Sequence, residues 1–357
     1  QINHLINEIE KSKLVDDKMI GCAAIILTGL SLNEKEKYLN FGLSILKKII
    51  DFSFDNQGFP KSRSIKQLIF YLKYFVLIRA WLKESQSEIP EYLDEIIFYL
   101  GKSYSILCQG KSKTILFNGN HETDSKDFDS YLNNHGYKFK SNSFETGGYI
   151  FLKNKKINLI MDIGSSPEKK FSKNYQFGAL SFEIISNNKK LICNSGYFQK
   201  TKHKLNDISK SSANHSTLII DNHSSCKINK STMEIENALK ILNKNFVMEK
   251  NYWNISASHD GYSKQYGVVH ERQIEFFPEN NKFVGQDKLI KKKNFKSSNF
   301  EIRFHLEPDT KVMKTQDGKS ILIDIENEGW KFSAQGYTID LETGLYFGKK
   351  NSFTENQ

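Results

Sequence analysis

The sequence predicts an α+β protein of two domains, a helical domain at residues 1–110 followed by an antiparallel β-sandwich at residues 111–357. Its 357 residues are more than a domain with one hydrophobic core usually contains, and this length suits two domains of about 100–250 residues each. The first part repeats apolar residues at steps of three and four, the period of an amphipathic helix. From about Lys111 onward, short stretches alternate with a period of two and have no helical pattern between them.

Two apolar runs, Leu39–Ile50 and Leu68–Leu82, have the helical period most clearly. Turn residues separate such runs at Asp55–Pro60 and Ser85–Pro90, so the helices form stacked hairpins. We expect the two helices on either side of Asp55–Arg63 to pack antiparallel against each other. The pattern is typical of the end of a helical-hairpin array.

The second part predicts strands with a short helix, Asp127–Asn134, at the join. Predicted strands are Gly148–Leu152, Ile157–Ile163, Ala179–Ile185, Lys190–Asn194, Ser216–Ile220, Val269–Phe276, Glu301–Leu306 and Ser320–Ile325. Many short strands without intervening helices favour antiparallel sheets packed face to face.

The charge and the lengths of the apolar runs limit the classes of partner that the protein is expected to bind. There are 51 Lys and Arg against 41 Asp and Glu, a net charge of +10 that favours anionic partners. The basic residues are scattered except at Lys291–Lys293, and no nucleic-acid motif accompanies them, so we predict a solvated lysine surface and no nucleic-acid partner. The longest apolar runs, such as Met19–Leu27, are shorter than the roughly 20 residues of a transmembrane helix. The sequence indicates no oligomeric state.

Four of the nine histidines lie within or beside predicted strands: His215, His259, His270 and His305. A histidine in such a place serves either as a structural hydrogen-bonding group or as a ligand or acid–base group. Taken singly, each of the four favours the structural role.

Several segments occur in a recognisable order along the chain. They are Asp55–Ser64 (DNQGFPKSRS), Leu180–Glu183 (LSFE), Leu191–Gly196, Lys210–Leu218 (KSSANHSTL), Ser258–Tyr262, His270–Arg272, Ile302–Leu306 and Gly329–Phe332. In this order they resemble the heparinase II/III-like polysaccharide lyases, in the lineage found in alphaproteobacteria. The resemblance covers nearly the whole chain.

The resemblance implies the C-terminal part of an α/α toroid, whose first helices would precede this sequence, followed by a β-sandwich. It also implies β-elimination on a uronic-acid-containing acidic polysaccharide or oligosaccharide, and a location in the periplasm or cell envelope. Removing the C5 proton beside a carboxylate requires a basic group, an amide or a metal to neutralise that carboxylate. A tyrosine or histidine then takes the proton.

The chain departs from the family pattern at three positions. Gln67 stands where the family tyrosine is expected, and Gln176 stands nearest the place of a histidine before the LSFE strand. Asn194 replaces a metal-binding aspartate, which leaves His215 as the one weak metal candidate. Zinc needs three or four protein ligands. No cofactor is therefore predicted, and a divalent metal, zinc or calcium, stays an alternative.

A second set of residues provides the chemistry that proton abstraction needs. His215, His259, Tyr262 and His270 are the predicted catalytic residues, with Arg272 on the same strand face as His270 to hold the substrate carboxylate. The predicted substrate-binding residues are Arg63, Gln67, Gln176, Asn194, Asp260, Arg272 and His305.

Three functions stay open at this point. The first is a polysaccharide lyase, and the second is a non-catalytic glycan-binding or envelope protein on a lyase scaffold. The third is a hydrolase, which would need two carboxylates flanking a cleft, and no spacing in the sequence singles out such a pair.

The segment His259–Tyr262 also has a purely structural interpretation. It is then only a turn at the end of a strand, with Asp260 and Gly261 making the turn.

Overall fold

The structure is a computed structural model that describes residues 2–32, 35–200, 203–349 and 351–357. The chain divides into two compact units. The helical unit extends to Gly110 and also includes Ser125–Ser143, whereas the β unit comprises Lys111–Asp124 and Phe144–Gln357. Among the described residues, no helix combines the length and apolar character needed to cross a membrane.

The helical unit contains six helices among its described residues. They are α1 Ile2–Lys11, α2 Val15–Ser31, α3 Lys35–Ser53, α4 Ile65–Glu84, α5 Glu91–Leu107 and α6 Lys126–Asn134. The β unit holds two short ones, α7 Lys204–Lys210 and α8 Ser263–Tyr266.

The helices pair differently from the sequence prediction. The main contacts of α2 are with α3 and α4, and α4 packs on α5, so the hairpins are α2 with α3 and α4 with α5. The predicted pairing of α3 with α4 is wrong. Short connections join antiparallel neighbours, and the α3–α4 connection is a longer loop with its own bridge between Phe54 and Pro60.

That loop is held by its own side chains. The Asp55 carboxylate accepts hydrogen bonds from the backbone N–H groups of Gln57 and Phe59, each at 2.9 Å. Gly58 has a φ of +69°, and a Cβ there would lie 2.5 Å from the Cβ of Tyr99, so both backbone and space favour glycine. Ser64 begins α4 as its N-cap, accepting from the Gln67 N–H at 3.3 Å.

The strands of the β unit are β1 Glu145–Thr146, β2 Tyr149–Lys153, β3 Ile157–Asp162, β4 Phe182–Ser186, β5 Lys189–Ile192, β6 Leu218–Ile220, β7 Ile241–Met248, β8 Trp253–His259, β9 Val268–Phe277, β10 Lys282–Lys291, β11 Phe300–Ile302, β12 Lys311–Lys314, β13 Ser320–Ile325, β14 Glu328–Ser333, β15 Gly344–Tyr346 and β16 Thr354–Asn356. One antiparallel sheet has the order β1-β2-β3-β4-β5 and another β10-β9-β8-β7. A third, β12-β13-β14, packs on the same core.

The core between these sheets is apolar and buried. Leu159 and Met161 from β3 meet Ile255 from β8, Phe276 from β9 and Ile323 from β13. The alternation that places these side chains inward is the period-two pattern of the sequence. The predicted α+β class and the antiparallel sandwich are therefore confirmed.

Each of the predicted strands overlaps a strand of the structure, although the first and last residues differ. Eight strands were not predicted: β1, β7, β8, β10, β12, β14, β15 and β16. Three of these, β7, β8 and β10, form the four-stranded sheet together with β9. The exposed face of β10 contains Lys282, Gln286 and Lys288. Because lysine is uncommon in strands, the composition of this segment does not predict one.

Replacing Ile255 with Ala should lower the free energy of unfolding of the β unit by about 2–5 kcal/mol, because the side chain is fully buried in the sandwich core. Denaturant titration measures this loss. Ile290→Ala is the control, since Ile290 is 47% exposed and its truncation should cost less than about 0.5 kcal/mol. Equal losses in the two variants would contradict the assignment of the core.

Candidate functional site

Three of the motif segments meet in the β unit. Ser212 donates from its hydroxyl to the Phe177 carbonyl at 2.5 Å, and Thr217 donates to the Ala179 carbonyl at 2.8 Å. The Asn194 side-chain oxygen accepts from the Ser216 N–H at 3.0 Å. The segments at 177–181, 193–196 and 212–217 therefore form one hydrogen-bonded centre around His215.

His215 is a neutral imidazole with a defined tautomer. Its Nδ1 lies 2.8 Å from the Ser211 carbonyl, which can only accept, so Nδ1 carries the proton and Nε2 has a lone pair. Burial lowers the pKa of His215 to about 4. The hydrogen bond to the Ser211 carbonyl has the opposite but smaller effect on this pKa. The ring lies against Gly178, where an added Cβ would come within 2.5 Å of the ring Cδ2. Only glycine at 178 leaves room for this imidazole.

Four buried polar atoms of this centre have no hydrogen-bond partner among the residues that the structure describes. They are the Nε2 of His215, the Nδ2 of Asn214, and the hydroxyl oxygens of Ser181 and Ser195. The added Cβ of Gly178 would also lie 2.9 Å from the Ser181 hydroxyl, so this hydroxyl and the His215 ring border the same small space. Buried unpaired polar atoms cost about 1–3 kcal/mol each and are rare in native structures. All four come from the motifs that carry the family resemblance.

His305 belongs to the same centre. Its Nε2 donates to the Ala213 carbonyl at 2.9 Å, and its backbone N–H donates to the Ser216 hydroxyl at 2.9 Å. Burial lowers the pKa of His305 to about 4. His305 is thus a neutral, hydrogen-bonded neighbour of the His215 segment.

The other two strand histidines form a chain that ends on Asp287. Gly261 N–H donates to His259 Nδ1 at 3.0 Å, so His259 Nε2 carries the proton and donates to His270 Nδ1 at 3.1 Å. His270 Nε2 then donates to the Asp287 carboxylate at 2.6 Å. This single arrangement satisfies every ring nitrogen. Burial lowers the pKa values of both histidines, so both are neutral.

Arg272 joins this chain to the His215 centre. Its guanidinium holds Asp287 through Nε at 2.8 Å and Nη2 at 3.1 Å. Its Nη1 donates to the carbonyls of Leu180, at 3.0 Å, and Ser216, at 2.7 Å. The side chain is buried and nearly all of its donors are engaged. The structure thus brings His259, His270 and Arg272 together, and Arg272 is bonded to groups of the protein itself.

Tyr262 and Asp260 lie at the end of β8. The Tyr262 hydroxyl donates to the Leu218 carbonyl at 2.9 Å, and its ring centroid is 5.7 Å from that of His259. Asp260 accepts from the Lys240 N–H at 2.7 Å, and its carbonyl accepts from the Ser263 N–H. Asp260 therefore closes the turn that follows the strand.

Gln176 and Asn194 are also engaged within the β unit. The Gln176 amide donates to the carbonyls of Gly196, at 2.8 Å, and Ser209, at 2.6 Å, and accepts from the Gly119 N–H at 2.9 Å. Glu183 of the LSFE motif accepts from the Asn194 N–H at 3.1 Å, which fixes that segment. Gln176 therefore cross-links three segments of the β unit.

Arg63 and Gln67 lie in the helical unit. Arg63 is buried, with a φ of +59° at the turn into α4. The Gln67 amide donates to the Asp16 carboxylate at 2.9 Å, and the hydroxyl of Tyr71, one turn later, donates to the same oxygen at 2.9 Å. Burial, followed by Asp16, raises the pKa of Tyr71, which makes its hydroxyl a weaker acid.

A metal ion does not fit this centre. Among the described residues, no group of three His, Cys, Asp or Glu side chains is arranged to hold one. The Asn194 oxygen accepts from Ser216, and both ends of the Gln176 amide are engaged, so a single imidazole remains. One ligand is fewer than zinc or calcium requires.

Sequence reasoning missed Asp287, Asp16 and the Ser181–Gly178 pair. Asp287 lies on β10, opposite Arg272 in the register of β9, so identifying that strand would have revealed it. Asp16 lies in a different helix from Gln67, and no local signal connects the two.

The fold is similar to that of solved polysaccharide lyases. The solved structure of heparan sulfate lyase HepC from Pedobacter heparinus is similar, with a TM-score of 0.76, 14% sequence identity, and coverage of 97% of this chain and 57% of that chain. Two structures described as heparinase III have TM-scores of 0.79 and 0.73, identities of 14% and 17%, and coverage of 99% and 96% of this chain and 58% and 57% of theirs. No curated protein matches the chain in sequence.

The family description "Heparinase II/III-like, C-terminal" matches residues 138–357, which is more than half of the sequence. The chain therefore belongs to the heparinase II/III-like family. It spans a little over half the length of the similar structures. At these identities the structures establish the fold, and the predicted α+β class, helices followed by an antiparallel β-sandwich, is confirmed.

Asp287→Asn should destabilise the β unit by about 3–5 kcal/mol, because the Arg272 charge would stay buried without its counter-charge. Denaturant unfolding measures the loss. Glu271→Gln on the same strand pair is the control, since Glu271 pairs with Lys288 at 3.5 Å on the exposed face and its loss should cost at most about 1 kcal/mol. A loss for Asp287→Asn as small as the control's would contradict the stabilising role of the buried Arg272–Asp287 pair.

The stability of the β unit should fall as the pH drops below about 6.5, the ordinary pKa of histidine. His215 and His305 have pKa values of about 4 in the folded chain. The unfolded chain takes up protons first, so the contribution is full above the unfolded pKa and is lost as the pH falls toward the folded pKa. Each histidine should cost about 2 kcal/mol between pH 7 and pH 5.

Urea unfolding at the two pH values checks this loss. His305→Gln, whose amide can still donate to Ala213, should lose about 2 kcal/mol less than the unmodified chain over the same interval. An unchanged pH dependence in that variant would show that His305 is not held neutral.

Proposed function

We propose that the protein is a polysaccharide lyase that cleaves a uronic-acid-containing acidic polysaccharide by β-elimination, with His215 as the proton acceptor. The observation that carries the proposal is the unpartnered Nε2 lone pair of this neutral imidazole. Family membership, the fold and the net charge of +10 support an acidic polysaccharide as substrate. A location in the periplasm or cell envelope goes with this substrate and stays a prediction.

In the proposed reaction, His215 Nε2 takes the C5 proton, and the Ser211 carbonyl stabilises the imidazolium through Nδ1–H. The unpartnered Asn214 amide and the Ser181 and Ser195 hydroxyls donate to the substrate carboxylate as charge develops on it. The electron pair left at C5 then forms the C4=C5 double bond as the C4–O bond breaks, and the imidazolium gives its proton to the departing oxygen.

Access to His215 sets a condition on this chemistry. The ring is 1% exposed, so a substrate reaches Nε2 only when the segment around Gly178 is displaced. Gln176 holds that segment through its bonds to Gly196 and Ser209. The proposed enzyme therefore opens this segment when a substrate binds.

A non-catalytic glycan-binding protein is the second candidate, and a specific observation favours it. The ring nitrogens of His259 and His270 and the amides of Gln67 and Gln176 all have partners within the protein. Side chains satisfied in this way stabilise a fold, and glutamine is no base. This candidate requires a glycan to bind without being cleaved.

The full chain should produce unsaturated uronate, detected by its ultraviolet absorbance, from at least one of heparan sulfate, alginate and hyaluronan. His215→Asn should lower the rate by at least about a hundredfold, because general base catalysis contributes about 10²–10⁴-fold. His135→Ala is the control, since His135 is exposed and should leave the rate unchanged. Circular dichroism establishes that both variants fold.

The two candidates give different results in this assay. Absorbance that survives in the folded His215→Asn variant would eliminate His215 as the base. Glycan binding with no absorbance change on any of the three polysaccharides would establish the non-catalytic function.

A further inference from the structure

Five lysines lie together beside α8 at one end of the β9–β10 pair. This lysine patch consists of Lys264, Lys291, Lys292, Lys293 and Lys296, and all five are exposed. The Gly267 carbonyl accepts from the Lys292 N–H at 2.7 Å, and the Tyr266 carbonyl accepts from the Lys296 N–H at 3.0 Å. The loop that follows β10 is therefore fastened to the end of the short helix that contains Lys264.

The position of this loop depends on a glycine. Gly267 has a φ of +68°, and an added Cβ would lie 2.4 Å from the backbone carbonyl of Asn294. Phe295 N–H closes the turn on the Lys292 carbonyl at 3.1 Å. The lysines are thus presented by a backbone with a defined conformation.

The charge of the patch is not compensated. Other lysines of the β unit pair with acids, among them Lys288 with Glu271 at 3.5 Å and Lys156 with Glu328 at 3.1 Å. Within the described ranges, none of the five patch lysines lies in an ion pair. Five clustered positive charges repel one another and attract a polyanion.

An aromatic ring lies among these charges. Phe295 is 40% exposed, and the ammonium group of Lys291 lies 4.4 Å from its ring centroid. An exposed ring offers an apolar face on which a sugar ring can stack, and the ammonium groups around it suit carboxylates or sulfates. An acidic sugar chain presents both features together.

We propose that the lysine patch is a second binding surface for the acidic polysaccharide, separate from the His215 centre. It rests on the substrate class of the proposed function and adds a place where the chain is held without being cleaved. Phe295 stacks on a sugar ring, and the lysines hold the acidic groups of neighbouring sugars.

The test measures the affinity of the full chain for heparin and for hyaluronan over a range of salt concentrations. Replacing Lys292, Lys293 and Lys296 together by Ala should weaken binding at low salt at least tenfold. It should also reduce the slope of log affinity against log salt by about 2, from three lost contacts at about 0.7 each. The side chains are exposed, so the melting temperature should stay the same.

The matched control replaces Lys311, Lys319 and Lys331 by Ala, which removes the same charge from exposed positions elsewhere in the β unit. Equal losses in the two triple variants would overturn the proposal, because binding would then follow net charge alone. A failure to bind either polysaccharide would also overturn it. So would tighter binding of a single-stranded oligonucleotide of equal charge, which would assign the patch to nucleic acid.

The elimination assay run in parallel separates this proposal from the proposed function. Binding that depends on the patch without unsaturated product would leave the patch standing and remove the lyase reaction. Product formation with binding unaffected by the patch variant would support the lyase reaction and overturn the patch proposal.

Discussion

The buried guanidinium of Arg272 is the interaction on which the site depends. It is held to Asp287 on the neighbouring strand and reaches two loop carbonyls, those of Leu180 and Ser216. A buried charge is stable only when it is paired and hydrogen-bonded. The two loops that border His215 are therefore positioned by the four-stranded sheet, and the register of β9 with β10 sets where they lie.

This dependence explains how much of the site local sequence could predict. The motif strands and the first helices have clear periods, and alternation alone placed His270 and Arg272 on one face. Asp287 could not be predicted because β10 has lysines and glutamine on its exposed face and does not read as a strand. Without that strand, Arg272 had no visible partner and was assigned to a substrate carboxylate.

The two glutamines show a second limit. Gln67 and Gln176 were noticed because they replace the residues expected at those positions, and their chemistry excluded them as bases. Their partners, Asp16 in one unit and Gly119, Gly196 and Ser209 in the other, lie far away in sequence. Hydrogen bonds between distant segments are set by tertiary packing, so no spacing within a motif indicates them.

The distribution of satisfied and unsatisfied groups separates stability from chemistry within one unit. The His259–His270–Asp287 chain leaves no ring nitrogen without a partner, which is how a polar core stabilises a fold. Around His215, the segments next to β4, β5 and β6 leave four buried atoms without a partner among the described residues, a cost that folding alone does not explain. A carboxylate and an acidic C–H would supply the missing partners, since the amide and hydroxyls can donate and the imidazole can accept. The chemistry of the proposed substrate thus complements the atoms that the fold leaves unsatisfied.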